Sequence, residues 1–321
     1  MTRAPLTPPQ QALFTDHLDP KVSSWITPWN GTEQPDVMLV GAPLSKTSIS
    51  NSGGSLTPGE LRGLFGAVTP YNIDHDLDLS SALTVRDAGN AVVHPTDLLR
   101  SRAGIRDAVA AVLAAAPTAM PIVMGGDHSI TAPSFEAFQA HVGGPVGLIQ
   151  LDAHMDLRNL EDGGLTNGTP IRQLIDGGTL RGSDVVQIGL HAFANASAYA
   201  TFAREQGITQ YTARQVARDG IEPLIARALD VASANTRAVY VTVDMDVLDL
   251  AYAPGVPAQV PGGMTSWQLF DAVLALGQHP SVKAFDVVEI DPMQDLRRAT
   301  VRTALYAMLT FLTGYALRRR S

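Results

Sequence analysis

Four short apolar runs, at residues 146–151, 185–188, 239–243 and 282–290, constrain this chain more than any other feature. Each is nearly continuous in Val, Ile, Leu and Phe, without the polar alternation of a strand that faces water on one side. Between them, residues 195–205, 221–234 and 266–277 carry apolar side chains at helical spacing. Alternating buried strands and amphipathic helices predict a three-layer α/β/α architecture with a central, mostly parallel sheet. Upstream, residues 36–41 and 122–124 read as strands, and 99–116 and 134–141 as helices. Another helix opens at Pro58, with Thr57 as its N-cap. Residues 1–34, rich in Pro and Thr, read as a surface arm, and 35–321 as one domain without internal repeat or linker.

Open parallel sheets carry their sites beyond the carboxyl ends of the strands. The run 146–151 leads into Asp152-Ala153-His154-Met155-Asp156, where positions 152, 154 and 156 share a side if the extended geometry continues. Two carboxylates and an imidazole in one small volume are costly unless a cation neutralises them. The strand ending at Met124 leads into Gly125-Gly126-Asp127-His128-Ser129, and that ending at Val243 into Asp244-Met245-Asp246. Glu289 and Asp291 flank the end of the last run. His128, Asp152, His154, Asp156, Asp244 and Asp246 are therefore the candidate metal ligands. Any one of these four aspartates alone reads equally as a helix cap or a solvated loop residue; six candidate ligands together at strand ends do not. The stretch Asp74-His75-Asp76-Leu77-Asp78 has comparable spacing, but no apolar strand precedes it, and it reads as a solvated acidic loop.

Four carboxylates formally balance two divalent ions. Oxygen-dominated ligation with two imidazoles suits Mn²⁺ better than structural zinc, although Zn²⁺, Co²⁺ and Ni²⁺ also fit the ligand types. Two such ions roughly 3.5–4 Å apart can share a water and lower its pKa. Phosphoesterases, aminopeptidases and amidine hydrolases all use that chemistry, and the ligands alone do not choose among them.

A formal charge of −8 argues against a nucleic-acid surface. Without cysteine, disulfide and thiolate chemistry are excluded. No uninterrupted apolar run spans a bilayer, since the longest candidate, 108–124, is broken by Pro117 and Pro121. With no apolar signal segment near residue 1, the expectation is a cytoplasmic protein without membrane partners.

The stretches Gly125 to Ser129, Asp152 to Asp156 and Asp244-Met-Asp-Val-Leu-Asp249, the last followed by Ala253-Pro254-Gly255, resemble the ureohydrolase family of arginase, agmatinase and formimidoylglutamase. The matching motifs run in the family's order from about residue 36 to the C-terminus. The resemblance implies an arginase-like fold, two Mn²⁺ per subunit on the six ligands, hydrolysis of a C–N bond in an amidine or guanidine, and a homo-oligomer, trimer or hexamer. Arginase and agmatinase place a histidine after the Asp-x-His-x-Asp motif, where this chain has Thr166-Asn167-Gly168-Thr169-Pro170. That segment, with Asp156-Leu157-Arg158-Asn159 and Gly189 to Asn195, is similar to the formimidoylglutamase branch.

The implied substrate is N-formimino-L-glutamate, cleaved to L-glutamate and formamide in histidine breakdown. Its two carboxylates call for arginine forks, for which Arg158 and Arg172 are candidates. Asn167 and Asn195 join the expected substrate contacts through their motifs. Glu289 is expected to pair with the cationic amidine, and Asp156 or His191 to return a proton. For each, the bland alternative is a surface arginine or a buried structural group. His17, His75, His94, His141 and His279 read as surface residues, and Arg318-Arg319-Arg320 as a solvated tail or an interface. The rival readings are a guanidino-acid hydrolase or agmatinase releasing urea, and a metal-binding paralogue without catalysis.

Overall fold

Nine strands form a sheet in which every pairing is parallel. In chain order they are β1 (Thr27–Pro28), β2 (Val37–Gly41), β3 (Val85–Asn90), β4 (Met120–Met124) and β5 (Val146–Leu151). β6 (Val185–Leu190), β7 (Thr209–Thr212), β8 (Ala238–Asp244) and β9 (Val282–Val288) complete it. Their spatial order is β1-β3-β2-β4-β9-β8-β5-β6-β7. This computed structural model describes residues 16–50 and 52–320; positions 1–15 of the expected arm lie outside the described residues.

Every residue of β2, β4, β5, β6 and β8 is buried, which is why their sequences lack alternation. Successive side chains instead feed two cores. Ile149, Val186, Val241 and Phe285 pack with Leu224, Leu269 and Phe311 from helices Glu222–Ser233, Ser266–Gln278 and Ala299–Arg320. Leu148, Val185, Tyr240 and Ala284 pack on the opposite face with Ile105, Phe135 and Ile171, from helices Leu98–Ala115, Thr131–Val142 and Pro170–Asp176. The arginase-like three-layer architecture follows.

The departures from expectation have local causes. Residues 16–34 are more than a surface arm: Thr27–Pro28 adds an edge strand to β3, and buried Trp25 donates Nε1–H to the Leu83 carbonyl at 2.8 Å. A two-residue strand is too short to leave a periodic signal. Pro121 sits inside β4 because pairing with β9 begins only at Ile122. Thr57 is the first residue of helix Thr57–Leu64, and its hydroxyl donates to the Ile290 carbonyl at 2.8 Å. The terminal arginines do not form a free tail, since Arg318 donates to the Val282 carbonyl at 2.9 Å and Arg319 pairs with Asp36 at 2.7 Å. Among the described residues, no helix is long and apolar enough to cross a membrane.

Candidate metal centre

Three strand ends use the same local device. Asp127 after β4, Asp152 after β5 and Asp244 at the end of β8 each accept the backbone N–H two residues ahead, from Ser129, His154 and Asp246. Such turns end the strand abruptly and aim the next side chains inward. The β8–β5 register pairs Val243 with Leu151, so Asp244 and Asp152 emerge side by side. The β8–β9 register pairs Asp244 with Val288, which places Glu289 just beyond. Extended geometry does not persist through 152–156 as expected: Asp156 has φ +53° and folds back to the cluster through the left-handed region. Gly126 is required where the β4 turn meets the loop after β2, because a Cβ there would lie 1.8 Å from the Leu44 carbonyl oxygen.

All six expected ligands converge. His128 Nδ1 lies 3.1 Å from Asp152 Oδ2, 2.8 Å from Asp156 Oδ2 and 3.1 Å from Asp244 Oδ2. His154 Nδ1 lies 2.8 Å from Asp246 Oδ2 and 3.6 Å from Asp152 Oδ1. Asp152 thus gives one oxygen to each half. The residues fit a pair of cations on a direct observation: His128 Nδ1 and Asp156 Oδ2 are buried without hydrogen-bond partners, although only 2.8 Å apart. Two ligand atoms that converge without hydrogen-bond geometry between them are arranged for a positive charge between them. Behind the cluster, His128 Nε2 meets Thr242 Oγ1 at 2.9 Å, and with that N–H donated the Nδ1 lone pair faces the cluster.

Electrostatics agree. Burial, then the neighbouring Asp152 charge, pushes Asp156 up to about 6; burial, then Asp246 and Asp152, pushes Asp244 well above the usual carboxylate range. Burial opposes a charge on His154, but Asp246 and Asp152 outweigh it and hold the imidazole proton to about 12. A raised carboxyl pKa removes stability from the metal-free fold as pH rises from the unfolded value, 3.8, through about 6 for Asp156. Metal must displace these protons. The gain in Tm on adding manganese should therefore be larger at about pH 7.5 than at about pH 5.5. Thermal melts with and without Mn²⁺ check this, and an equal gain at both values would contradict it.

The cluster forms the floor of a cavity of about 260 Å³. Glu289, at φ +59°, accepts the His128 N–H at 2.7 Å and Asn167 Nδ2–H at 3.0 Å on the same oxygen. Burial, then the Asp127 charge, pushes Glu289 up to about 8. Asn167 also accepts the Ile49 N–H at 3.1 Å, while Asp127 accepts the Thr47 hydroxyl at 2.8 Å. That anchors the loop carrying Ile49 and Ser50 onto the cavity wall.

Arg158 lines the wall, and its guanidinium has no protein partner among the described residues. Asn195 lines it too, but its amide is occupied by the turn, accepting from Met155 N–H at 2.8 Å and donating to the Ala153 carbonyl at 3.0 Å. Two expected contacts lie elsewhere. Arg172 pairs with Asp176 at 2.6 Å and stacks on Phe202, on the outer side of helix Pro170–Asp176. His191 is absent from the cavity wall, with Nε2 held at 3.2 Å from the Val247 carbonyl. Neither lines the cavity. Ile49, Ser50 and Tyr199 line the cavity without having been expected there. None of His17, His75, His94, His141 and His279 is buried or lines the cavity, and Asp74 and Asp76 are exposed.

The Arginase family model matches residues 35–314. Formimidoylglutamase of Halalkalibacterium halodurans is 42% identical over 307 residues, covering 96% of each chain. The crystal structure of formimidoylglutamase from Bacillus subtilis superposes with a TM-score of 0.93 at 36% identity, covering 97% of this chain and 96% of that one. A Trypanosoma cruzi formiminoglutamase structure with Mn²⁺ gives 0.85 at 25% identity, covering 94% and 99%. Strand-end geometry and overall likeness lead to one conclusion: the chain belongs to the arginase family, as a hydrolase acting on C–N bonds of amidines.

Proposed function

We propose that the chain hydrolyses N-formimino-L-glutamate to L-glutamate and formamide, with two manganese ions held by His128, Asp152, His154, Asp156, Asp244 and Asp246. The observation that carries this choice is the polarity of the cavity: acids at its floor, and on its wall the Arg158 guanidinium, without a protein partner among the described residues. A substrate cationic at its reacting end and anionic at the other matches that polarity, whereas the distal ammonium of agmatine would face Arg158. The formimidoylglutamase likeness supports the same reading.

Bound manganese would supply Lewis acidity and an activated water. The chain supplies position. Both protein hydrogen bonds to Glu289 fall on Oε1, leaving Oε2 for the amidinium N–H groups. Asn167 and the Thr47–Asp127 anchor fix that carboxylate's rotamer and the wall above it. Arg158 takes a substrate carboxylate through a charge-assisted fork. Water oxygen bonds to the formimino carbon, the bond from that carbon to the α-nitrogen breaks, and the α-nitrogen gains a proton. Of the two side chains expected to return that proton, only Asp156 lines the cavity.

Arg158→Ala should raise KM about 10- to 100-fold, the loss of a charged hydrogen-bonded contact, while kcat changes much less. Steady-state kinetics checks it, and an unchanged KM removes Arg158 from the site. The function itself is tested with manganese-loaded protein against formiminoglutamate, guanidino acids, agmatine and arginine. Preferred turnover of formiminoglutamate is expected; urea from a guanidino acid as the best reaction would overturn the substrate.

A further inference from the structure

Three glutamines stand abreast on neighbouring strands beside the metal cluster. The register pairs Gln150 of β5 with Gln187 of β6, and Gln187 with Gln210 of β7. Gln150 and Gln187 are fully buried, and Gln210 is half-buried on the edge strand. Uncharged amides in the middle of a parallel sheet are costly unless hydrogen-bonded, and these are bonded to one another. Gln210 Nε2 donates to Gln187 Oε1 at 2.7 Å, and Gln187 Nε2 donates to Gln150 Oε1 at 2.7 Å. Gln150 Nε2 then donates to Asp152 Oδ2 at 2.6 Å.

The direction of this chain is forced by its end. An ionised carboxylate only accepts, so Gln150 must present its NH₂ to Asp152 and its oxygen to Gln187. Gln187 must therefore present its NH₂, whose second hydrogen goes to the Met155 carbonyl at 2.6 Å. Its oxygen is left for Gln210. One ladder thus grips both the shared carboxylate and the main chain of the turn that follows it. Aligned amides polarise one another, so a donor at the sheet edge strengthens the final bond to Asp152.

We propose that Gln210, Gln187 and Gln150 are positioning residues for Asp152, setting the carboxylate shared by the two halves of the centre. This rests on the metal reading above. The half-exposed edge position offers a test that spares the fold, by Gln210→Lys (donor only), Gln210→Glu (acceptor only) and Gln210→Met (neither). Circular dichroism confirms folding, and Mn²⁺ affinity is followed by paramagnetic resonance of free and paired ions. Gln210→Lys should bind within about twofold of the parent, while Gln210→Glu and Gln210→Met should bind about 3- to 10-fold more weakly. Gln187→Met should cost about 10-fold or more. In a Gln187→Met background the Gln210 effects should vanish, because the routes to Asp152 and to the Met155 carbonyl are both cut. Equal affinities for all three Gln210 variants, or effects that persist in that background, would overturn the ladder while two ions still bind the parent. A parent protein that binds no manganese overturns the metal reading and the ladder with it.

Discussion

Asp152→Ala is expected to bind neither ion at stoichiometric manganese and to lose at least about 10³-fold in kcat/KM, roughly 4 kcal/mol of transition-state stabilisation. The reason is its shared position, with Oδ2 3.1 Å from the His128 ligand atom and Oδ1 3.6 Å from that of His154. Removing Asp156 or Asp246 strips one half; removing Asp152 strips both. The metal-free fold should lose stability as well, because against burial the His128 and His154 imidazoles hold the Asp152 carboxyl well below the usual range, and its removal leaves the Gln150 amide without its acceptor. Elemental analysis, kinetics and an apo thermal melt on the same preparation separate these effects. Two bound ions with activity within tenfold of the parent would contradict the shared-ligand geometry.

Glu289→Gln is expected to lower kcat by about 10²- to 10³-fold while leaving manganese content unchanged. Glutamine keeps an oxygen for the His128 N–H and Asn167, so the geometry around it survives. What is lost is the negative charge facing the amidinium. The same charge burdens the empty fold: with its pKa raised to about 8, Glu289 removes stability as pH climbs from its unfolded value of 4.5 through about 8. The metal-free variant should therefore out-melt the metal-free parent by a margin that widens from about pH 5 to about pH 8. Unaltered kcat, or loss of metal, would place Glu289 in a different role.

The convergence of the six candidate ligands was legible because they obey a rule of the fold, acids and imidazoles just past apolar strands, and because short spacings keep them local in sequence. The path that brings them together was less so. Asp156 arrives through a left-handed turn that no pattern of residue types announces. Arg172 and His191 had suitable chemistry, but helix rotation and a backbone carbonyl decide where they point. The glutamine ladder was illegible for another reason. Gln150, Gln187 and Gln210 are separated by whole crossovers, and only the strand register reveals that they touch. Ile49 and Ser50 belong to the same class, carried to the cavity by Thr47 on Asp127, a pairing across 80 positions of chain. Local signals placed the strands and the candidate ligands; nonlocal contacts placed the cavity wall.

The central claim is that this centre directs water to the formimino carbon and breaks its bond to the α-nitrogen. Turnover of formiminoglutamate in ¹⁸O-labelled water, followed by mass spectrometry, tests it directly. Equal amounts of glutamate and formamide, with the label in formamide alone, are predicted. Ammonia with N-formylglutamate would show that the other C–N bond breaks, and no product from protein carrying two manganese ions would contradict the assignment altogether.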